Sequence, residues 1–359
     1  MNSLKLTQVV VPADFTIKEA INKLNENTRQ ILLVANKENR LLGTITDGDI
    51  RRAILKGLTL DKKIEEIMNK SPLVLFEAEI EKAEKFLSEQ KIRAVPIVNS
   101  QKKIIDILFW EEIAGKKIKL NQYSQKENKV FILAGGKGSR LKPFTNILPK
   151  PLIPIGEVPI IEIIMKRFQN FGFNNFILSL NYKAEMLKAY FADDKEKFNI
   201  EYVQEKEFSG TAGSLSLVKK KIKNTIFVSN CDIIIDINYD DFFNYHKKNK
   251  HHATIVGVIK HVKIPYGVLE IKNNLIDKMT EKPEYDFMVN SGIYCIEPNI
   301  LNLVPDDKFI DMPNLLLEAQ KKGLRVGVYP VTSDMIDVGH WDEYNQASAK
   351  MKKIVYEDK

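Results

Sequence analysis

A chain of 359 residues with 44% hydrophobic and 28% charged residues has the makeup of an ordinary globular protein of two or three domains. The net charge of +7 comes from lysines spread along the chain. No arginine/lysine run with interleaved aromatics marks a nucleic-acid face, and no apolar run reaches membrane-spanning length. Nucleic-acid and membrane partners are therefore not expected, and the surplus of positive charge suits anionic phosphates. Cys231 and Cys295 sit in apolar runs without a CxxC partner or metal-ligand spacing, and the N-terminus lacks a basic segment followed by an apolar one. Buried thiols in a cytoplasmic protein are expected.

Residues 1–118 contain an internal repeat. A shift of 63 positions lays residues 10–50 on 73–113 without a gap, so that Ile17 meets Ile80, Leu24 meets Leu87, Leu32 meets Val95 and Ile45 meets Leu108. Each copy predicts a helix (16–25 and 79–88), then two short strands about a polar turn (36–40 and 99–103). One copy cannot cover its own sheet, so the two are expected to pack together. The first copy ends Gly43-Thr44-Ile45-Thr46-Asp47-Gly48-Asp49. This end resembles a CBS domain, and two in tandem resemble the α/β pair that binds adenine nucleotides. The resemblance implies that Thr46 and Asp49 contact the phosphate and ribose. The second copy departs, with Phe109 and Glu112 at the matching positions and Asp106 for Gly43. One nucleotide site per pair is implied, and a pair that only joins chains into a homo-oligomer is equally open.

Residues 119–128 are polar and aperiodic and read as a linker. From 129 to 350, apolar runs at 131–133, 176–180, 200–203, 226–229 and 254–259 alternate with helical patterns such as 160–170 and 184–191. That alternation predicts an α/β domain with a mostly parallel sheet, whose ligands gather beyond the carboxyl ends of the strands. Residues 351–359 read as a charged tail.

The run Val130-Phe131-Ile132-Leu133 leads directly into Ala134-Gly135-Gly136-Lys137-Gly138-Ser139-Arg140-Leu141, and Pro149-Lys150-Pro151 follows nine residues after Arg140. The glycines let backbone amides close around an anion, and Arg140 and Lys150 add the full charges a triphosphate needs. The spacing is not that of a Walker A loop, and Leu141 stands where a dinucleotide fingerprint needs its third glycine. Leu133 to Thr145, with residues 149–151, instead resembles the LAGGxGxRLxPxT and PKP signature of the sugar-1-phosphate nucleotidyltransferases. The resemblance extends over about 129–350 and implies a Rossmann-like catalytic domain. It places Leu133, Ala134, Gly135, Gly136, Gly138 and Ser139 at the nucleotide, with Arg140 and Lys150 in catalysis.

Later segments extend it. Asn230-Cys231-Asp232 follows a strand-like run, where a carboxylate would point into the ligand crevice, although an aspartate there is also a common helix cap. With Asp337 of Ile336-Asp337-Val338-Gly339, the resemblance implies a Mg²⁺ site on Asp232 and Asp337, with Asn230 beside the sugar. Glu281-Lys282-Pro283 implies Glu281 on sugar hydroxyls and Lys282 on the sugar's phosphate. Gly267 and Asn290 sit in two more sugar-side segments. Asn181 and Gly210-Thr211-Ala212 match segments beside the base. His340 is assigned packing or capping, because a sugar phosphate is already an anion and needs no general base. His246, His251 and His252 lack companions at ligand spacing and are expected at the surface.

A CBS pair ahead of such a transferase resembles the CBS-fused guanylyltransferases of the bacterial legionaminic acid route. That implies GTP and glucosamine-1-phosphate as substrates, and GDP-glucosamine and pyrophosphate as products. Mannose-1-phosphate guanylyl transfer, and thymidylyl or uridylyl transfer to glucose-1-phosphate, are the alternatives. A catalytically silent nucleotide sensor should lack a phosphate or metal residue, yet Arg140, Lys150, Asp232, Lys282 and Asp337 are all present.

Overall fold

The computed structural model describes residues 3–27, 30–90, 92–110, 123–192, 197–306, 308–333, 335–339, 341 and 343–345. Glu112, His340, the first part of the expected linker (119–122) and the tail 351–359 lie outside them. The chain divides into two units, Met1–Gln122 with Pro330–Ser333 and Tyr123–Tyr329 with Asp334–Lys359. Among the described residues no helix is long and apolar enough to cross a membrane.

In the first unit the repeat is visible strand by strand. Strands β1 (Val10–Pro12), β2 (Ile31–Ala35) and β3 (Leu41–Thr46) form one sheet, and β4 (Leu75–Phe76), β5 (Ala94–Val98) and β6 (Ile104–Phe109) another. Both pair parallel and then antiparallel. β5 and β6 begin and end 63 residues after β2 and β3, and the register slips at matching places, Val34/Ala35 and Ile97/Val98. The helix of the first copy, Ile17–Asn27, buries Ile17, Ala20, Ile21 and Leu24 on a single stripe. Thr16 caps it in a reciprocal box with Glu19, the two N–H···O bonds measuring 2.7 and 3.2 Å. The second copy has Glu79 and Lys82 at those positions and cannot build that box. Its expected helix over 79–88 opens instead as a 3₁₀ segment, Glu77–Lys82, before the α-helix Ala83–Gln90. Val9, Leu33 and Ala35 share one buried cluster with Ile104, Ile107 and Phe109, so each copy completes the other's core.

The second unit opens with β7 (Lys126–Leu133), which begins inside the stretch read as linker. Lys126 is drawn into the sheet because its N–H donates to Gly172 O at 2.8 Å and its ammonium pairs with Asp240. Two short hairpin strands follow, β8 (Pro154–Ile155) and β9 (Val158–Pro159), and then β10 (Phe173–Leu180), β11 (Asn199–Gln204), β12 (Ile226–Asn230) and β13 (Ile233–Ile235). The remainder are β14 (Ala253–Lys263), β15 (Val268–Lys272), β16 (Leu275–Thr280), β17 (Glu284–Ile296), β18 (Val326–Val331) and β19 (Met335–Asp337). The central seven-stranded sheet runs β11-β10-β7-β12-β17-β14-β18. Its first four strands are parallel, and β17 runs antiparallel between β12 and β14.

Near-continuous apolar runs in β7, β10 and β12 fit a sheet covered on both faces. On one face Phe173 and Phe227 stack with Phe168 and Tyr239, with the Phe168 and Tyr239 ring centres 3.9 Å apart. On the other, Phe131, Ile177 and Val228 join Leu215, Met312 and Leu315. The parallel strands end level: Leu133 is aligned with Ser179 and Asn230, and Leu180 with Gln204. This shared edge carries the site.

Candidate active site

The chain leaves β7 at Leu133, and Ala134 N donates to Ser179 O at 3.0 Å, carrying the sheet edge one residue further. Gly136 has open space where a Cβ would stand, whereas at Gly135 a Cβ would lie 3.1 Å from Asn181 Cβ and 3.2 Å from Glu205 Oε1. Gly138 has φ +61° and would place a Cβ 2.9 Å from Thr145 Cγ2 and 3.0 Å from Lys150 Cβ. Conformation and space both demand glycine there. Thr145 Oγ1 donates to Gly138 O at 3.0 Å, and Tyr182 hydroxyl donates to Thr145 O at 3.2 Å. The turn, Thr145 and Lys150 are thus one packed piece, with Ser139 and Arg140 exposed on the following 3₁₀ turn.

Lys150 is mostly buried and donates from Nζ to Asp232 Oδ2. The other oxygen, Asp232 Oδ1, is buried and has no hydrogen-bond partner among the described residues. Strand β13, which starts beside Asp232, pairs antiparallel with β19, so Val338 N donates to Asp232 O at 2.9 Å. Asp337 Oδ1 accepts from Gly339 N at 2.7 Å, and a Cβ at Gly339 would stand 3.2 Å from Lys150 Nζ. Both carboxylates and the lysine therefore meet at this edge. Among the described residues no group of three or more His, Cys, Asp or Glu side chains gathers as a metal cage. Two carboxylates with one unsatisfied buried oxygen suit a hard divalent cation that keeps water and phosphate oxygens as its other ligands. Burial, then the Asp232 charge, pushes the Cys231 thiol up to about 12, so it stays neutral beside this site.

Around Asn181, which the resemblance puts beside the base, Tyr182 N donates to Gly135 O at 3.3 Å, and Asn181 Nδ2 donates to Glu205 O at 3.2 Å. Gly210 to Gly213 forms a short helix. Gly210 has φ +84°, and a Cβ there would strike Ile310 O at 2.5 Å. Thr211 is spent internally: its N and Oγ1 donate to Asp311 Oδ1, and Oγ1 accepts from Met312 N at 2.8 Å. Its side chain ties the segment down, and Ala212 is fully buried. Glu205, which sequence reasoning passed over, is buried at the end of β11. Its Oε1 accepts from Ser179 Oγ at 2.8 Å, and its Oε2 from Ser209 Oγ at 2.9 Å. It is a carboxylate at a strand's carboxyl end, the same signal that singles out Asp232.

Of the residues that the resemblance puts beside the sugar, Asn230 lies against Gly292, where φ is +79° and a Cβ would come 2.5 Å from Asn230 Nδ2. Asn290 donates to Tyr294 hydroxyl at 2.8 Å and accepts from Gly292 N at 2.9 Å, so it braces this bend. A Cβ at Gly267 would lie 3.0 Å from Glu281 Oε2. Glu281 and Lys282 are exposed, and Lys282 has φ +45°. Among the described residues no hydrogen bond or ion pair links Lys282 to Lys150, Asp232 or Asp337.

In the first unit, Thr46 N and Oγ1 donate to Asp49 Oδ2 at 2.9 and 2.6 Å, closing a capping box on the helix Asp47–Leu55. Both residues therefore have a structural duty in the folded chain. The histidines require a correction. His246 is fully buried, not at the surface, because it lies on the inner side of the helix Tyr239–Lys248. It bonds Thr254 Oγ1 at 2.8 Å and Glu297 Oε1 at 3.1 Å. His251 and His252 are half-buried.

Comparison with known proteins follows the same division. The nucleotidyl transferase family pattern matches residues 129–354, and the CBS domain pattern matches 6–56 and 64–116. A mannose-1-phosphate guanyltransferase of Yarrowia lipolytica is 36% identical over 186 residues, 49% of this chain and 51% of that protein. A probable glucose-1-phosphate cytidylyltransferase of Bacillus subtilis is 31% identical over 201 residues, covering 50% and 78%. The chain spans about half the length of the mannose-1-phosphate guanyltransferases it matches. Among solved structures, HddC from Yersinia pseudotuberculosis superposes with a TM-score of 0.50 at 28% identity, over 62% of this chain and 99% of that chain. HddC complexed with GMP-PN matches at 27% identity and a TM-score of 0.50, again over 62% and 99%. With the transferase pattern covering well over half of its length, the chain belongs to the nucleotidyl transferase family and carries two CBS domains ahead of the transferase domain.

Proposed function

We propose that the chain transfers a guanylyl group from GTP to a sugar-1-phosphate, glucosamine-1-phosphate first among them, and releases pyrophosphate. The observation that carries this proposal is the meeting of Lys150, Asp232 and Asp337 beside the glycine turn, with Asp232 Oδ1 buried and unsatisfied among the described residues. A sugar-phosphate oxygen attacks the α-phosphorus in line, a new P–O bond forms, and the bond to pyrophosphate breaks, its electron pair leaving with pyrophosphate. The nucleophile is already anionic at neutral pH, so the site needs no general base. Asp232 and Asp337 would hold Mg²⁺, which when bound supplies charge neutralisation at the α-phosphate. Backbone amides from Gly135 to Ser139 cradle the phosphates, Arg140 stabilises charge on the departing pyrophosphate, and Lys150 and Lys282 align the reacting phosphates. Asn230, Gly267, Glu281 and Asn290 shape the sugar side.

Guanine is supported by the guanyltransferase relatives, by the HddC complex with GMP-PN, and by Glu205. A buried carboxylate accepts from the adjacent N–H groups of guanine, whereas uracil and thymine offer one N–H flanked by carbonyl oxygens. Glucosamine-1-phosphate, and a place in legionaminic acid supply, rest on the domain order. Mannose-1-phosphate is the second reading, favoured by the relatives. We further propose that an adenine nucleotide binds the CBS pair at Thr46 and Asp49, that this pair joins chains into a homo-oligomer, and that the protein is cytoplasmic.

Pyrophosphate release with Mg²⁺ tests this, with GTP, dTTP, UTP, CTP and ATP each set against glucosamine-1-phosphate, mannose-1-phosphate, glucose-1-phosphate and N-acetylglucosamine-1-phosphate. A preference for GTP with glucosamine-1-phosphate is expected. Preference for another pair overturns the substrate while keeping the chemistry, and silence throughout favours a nucleotide sensor.

A further inference from the structure

We propose that Tyr182 and Lys183 are positioning residues for catalysis: together they seat the short helix Phe144–Ile147 and so fix where Lys150 stands. A helix of four residues cannot satisfy its own last carbonyls. Leu148 N donates to Phe144 O at 2.9 Å. The three carbonyls that follow go to two adjacent side chains just beyond β10. Tyr182 hydroxyl donates to Thr145 O at 3.2 Å, and Lys183 Nζ donates to Asn146 O and Ile147 O, both at 2.6 Å. The ammonium also lies 5.4 Å from the centre of the Tyr182 ring, so the two side chains act as one clamp. A full positive charge suits the carbonyl end of a helix.

Two observations raise this clamp above ordinary capping. First, packing grips the helix at few points. Thr145 is its one buried residue, and Phe144 and Ile147 are 44 and 71% exposed, with the Phe144 ring centre 4.9 Å from that of Trp341. Second, Lys183 reaches its carbonyls from φ +53°, in the left-handed region that a lysine rarely occupies. Asparagine or glycine would make the same turn with less strain, so the backbone does not call for lysine there and the two carbonyls do. Strain of this kind persists where it serves a site. Here the site lies three residues beyond Ile147. Thr145 Oγ1 joins the helix to the glycine turn at Gly138 O. Pro149, buried and stiff at φ −64°, passes the helix's position on to Lys150, which holds Asp232. The clamp therefore acts through Lys150.

This proposal rests on the catalytic place given to Lys150 above, so its test reads the clamp and the reaction separately. Lys183→Asn removes the ammonium and suits the left-handed conformation. Hydrogen exchange on the full chain, followed by mass spectrometry, should show residues 144–150 exchanging about tenfold faster than in the wild type, with β10 unaltered. Tyr182→Phe, which frees Thr145 O, should quicken the same amides to a lesser degree. In Lys183→Asn the unfolding midpoint should be no lower than in the wild type. Thr145 still holds the glycine turn, so KM for the nucleoside triphosphate should stay within about twofold while kcat falls roughly 10–100-fold, the cost of a small misplacement at a reacting centre. Lys183→Arg, which keeps a cation to donate, should restore most of kcat. Unaltered exchange over 144–150, or a kcat near that of the wild type, overturns the proposal. A joint fall of unfolding midpoint and kcat that arginine does not relieve also overturns it, because the lysine would then merely support the fold. A wild type silent with every substrate pair overturns the proposed reaction instead, and exchange, which needs no turnover, then decides the clamp by itself.

Discussion

Lys150 holds one oxygen of Asp232, and the other is buried without a partner among the described residues. An unsatisfied carboxylate oxygen in a nearly dry position costs free energy unless something binds it, and the proposed divalent cation would fill that need. Asp232→Asn keeps the shape and an acceptor for Lys150 while removing the negative charge. It should lower turnover about 10²–10³-fold, the usual worth of one transition-state electrostatic contact. Arg140→Ala, at an exposed position, should lose as much with its unfolding midpoint unchanged. Steady-state pyrophosphate release and thermal unfolding check both, and near-normal turnover in either variant would remove these residues from the catalytic set.

Gly138→Ala tests the packing that sets Lys150. The added methyl meets Thr145 and Lys150 at or inside 3.0 Å, in a left-handed conformation that costs an L-residue roughly 1–2 kcal/mol. The turn and the lysine should separate, raising KM for the nucleoside triphosphate at least tenfold. Gly136→Ala, with open space at the same test, should fold normally and be impaired only through crowding of bound phosphate. Equal effects on stability from the two substitutions would show that the close fit at Gly138 does not matter.

Much of the architecture was legible because apolar spacing and turn residues are local signals. The 63-residue offset survives in strand boundaries, since each copy buries the same alternate positions. The glycine turn was legible because Gly138 answers a backbone need that no other residue meets. Side-chain partnerships across long separations were not. The bond from Lys150 to Asp232 spans 82 positions and that from Thr211 to Asp311 spans 100, and no periodicity encodes either. His246 illustrates the cost. Its neighbours look polar, yet helix phase turns it inward onto Thr254 and Glu297. Thr46 and Asp49 show the converse, since a pair matched to a ligand motif also closes a helix cap.

That double duty yields a prediction for the first unit. Asp49→Ala should cost about 1 kcal/mol of stability through the lost cap. If the nucleotide proposal holds, it should also abolish the binding of ATP, ADP or AMP seen by calorimetry on the full wild-type chain. Asp47, at the first helical position, is no part of the implied contact, so its substitution separates general loosening of the helix from loss of the ligand. Unaltered nucleotide affinity in Asp49→Ala would assign the residue to capping alone.

Glu205→Gln addresses base choice. Glu205 ties Ser179 to Ser209 beneath Gly135, and glutamine preserves its size while trading one acceptor for a donor. GTP kcat/KM should fall roughly 10–100-fold, the equivalent of one charged hydrogen bond of about 1.5–3 kcal/mol. UTP should lose less. The GTP-to-UTP ratio is decisive, because a residue that merely tethers the loop would depress both nucleotides together and leave the ratio untouched.

Acid should find the second unit through Glu162. This carboxylate is 4% exposed on the helix Ile160–Gln169. Burial disfavours its charge, but hydrogen bonds from Lys197, Tyr190 and Lys166 outweigh that and hold the group at about 2. Because the folded value lies below the unfolded one, its contribution is complete above about pH 5 and drains away as the pH falls toward 2. A depression of this size corresponds to something on the order of 3 kcal/mol. Glu297, held at about 2 by His246, Lys247 and Thr225 against its own burial, should add to the same acid limb. Denaturant unfolding at a series of pH values between 6 and 3 should therefore show wild-type stability falling more steeply than that of Glu162→Gln, which has no proton to take up. Parallel slopes for the two proteins would mean that Glu162 titrates normally, and that its three donors only offset the cost of burying it.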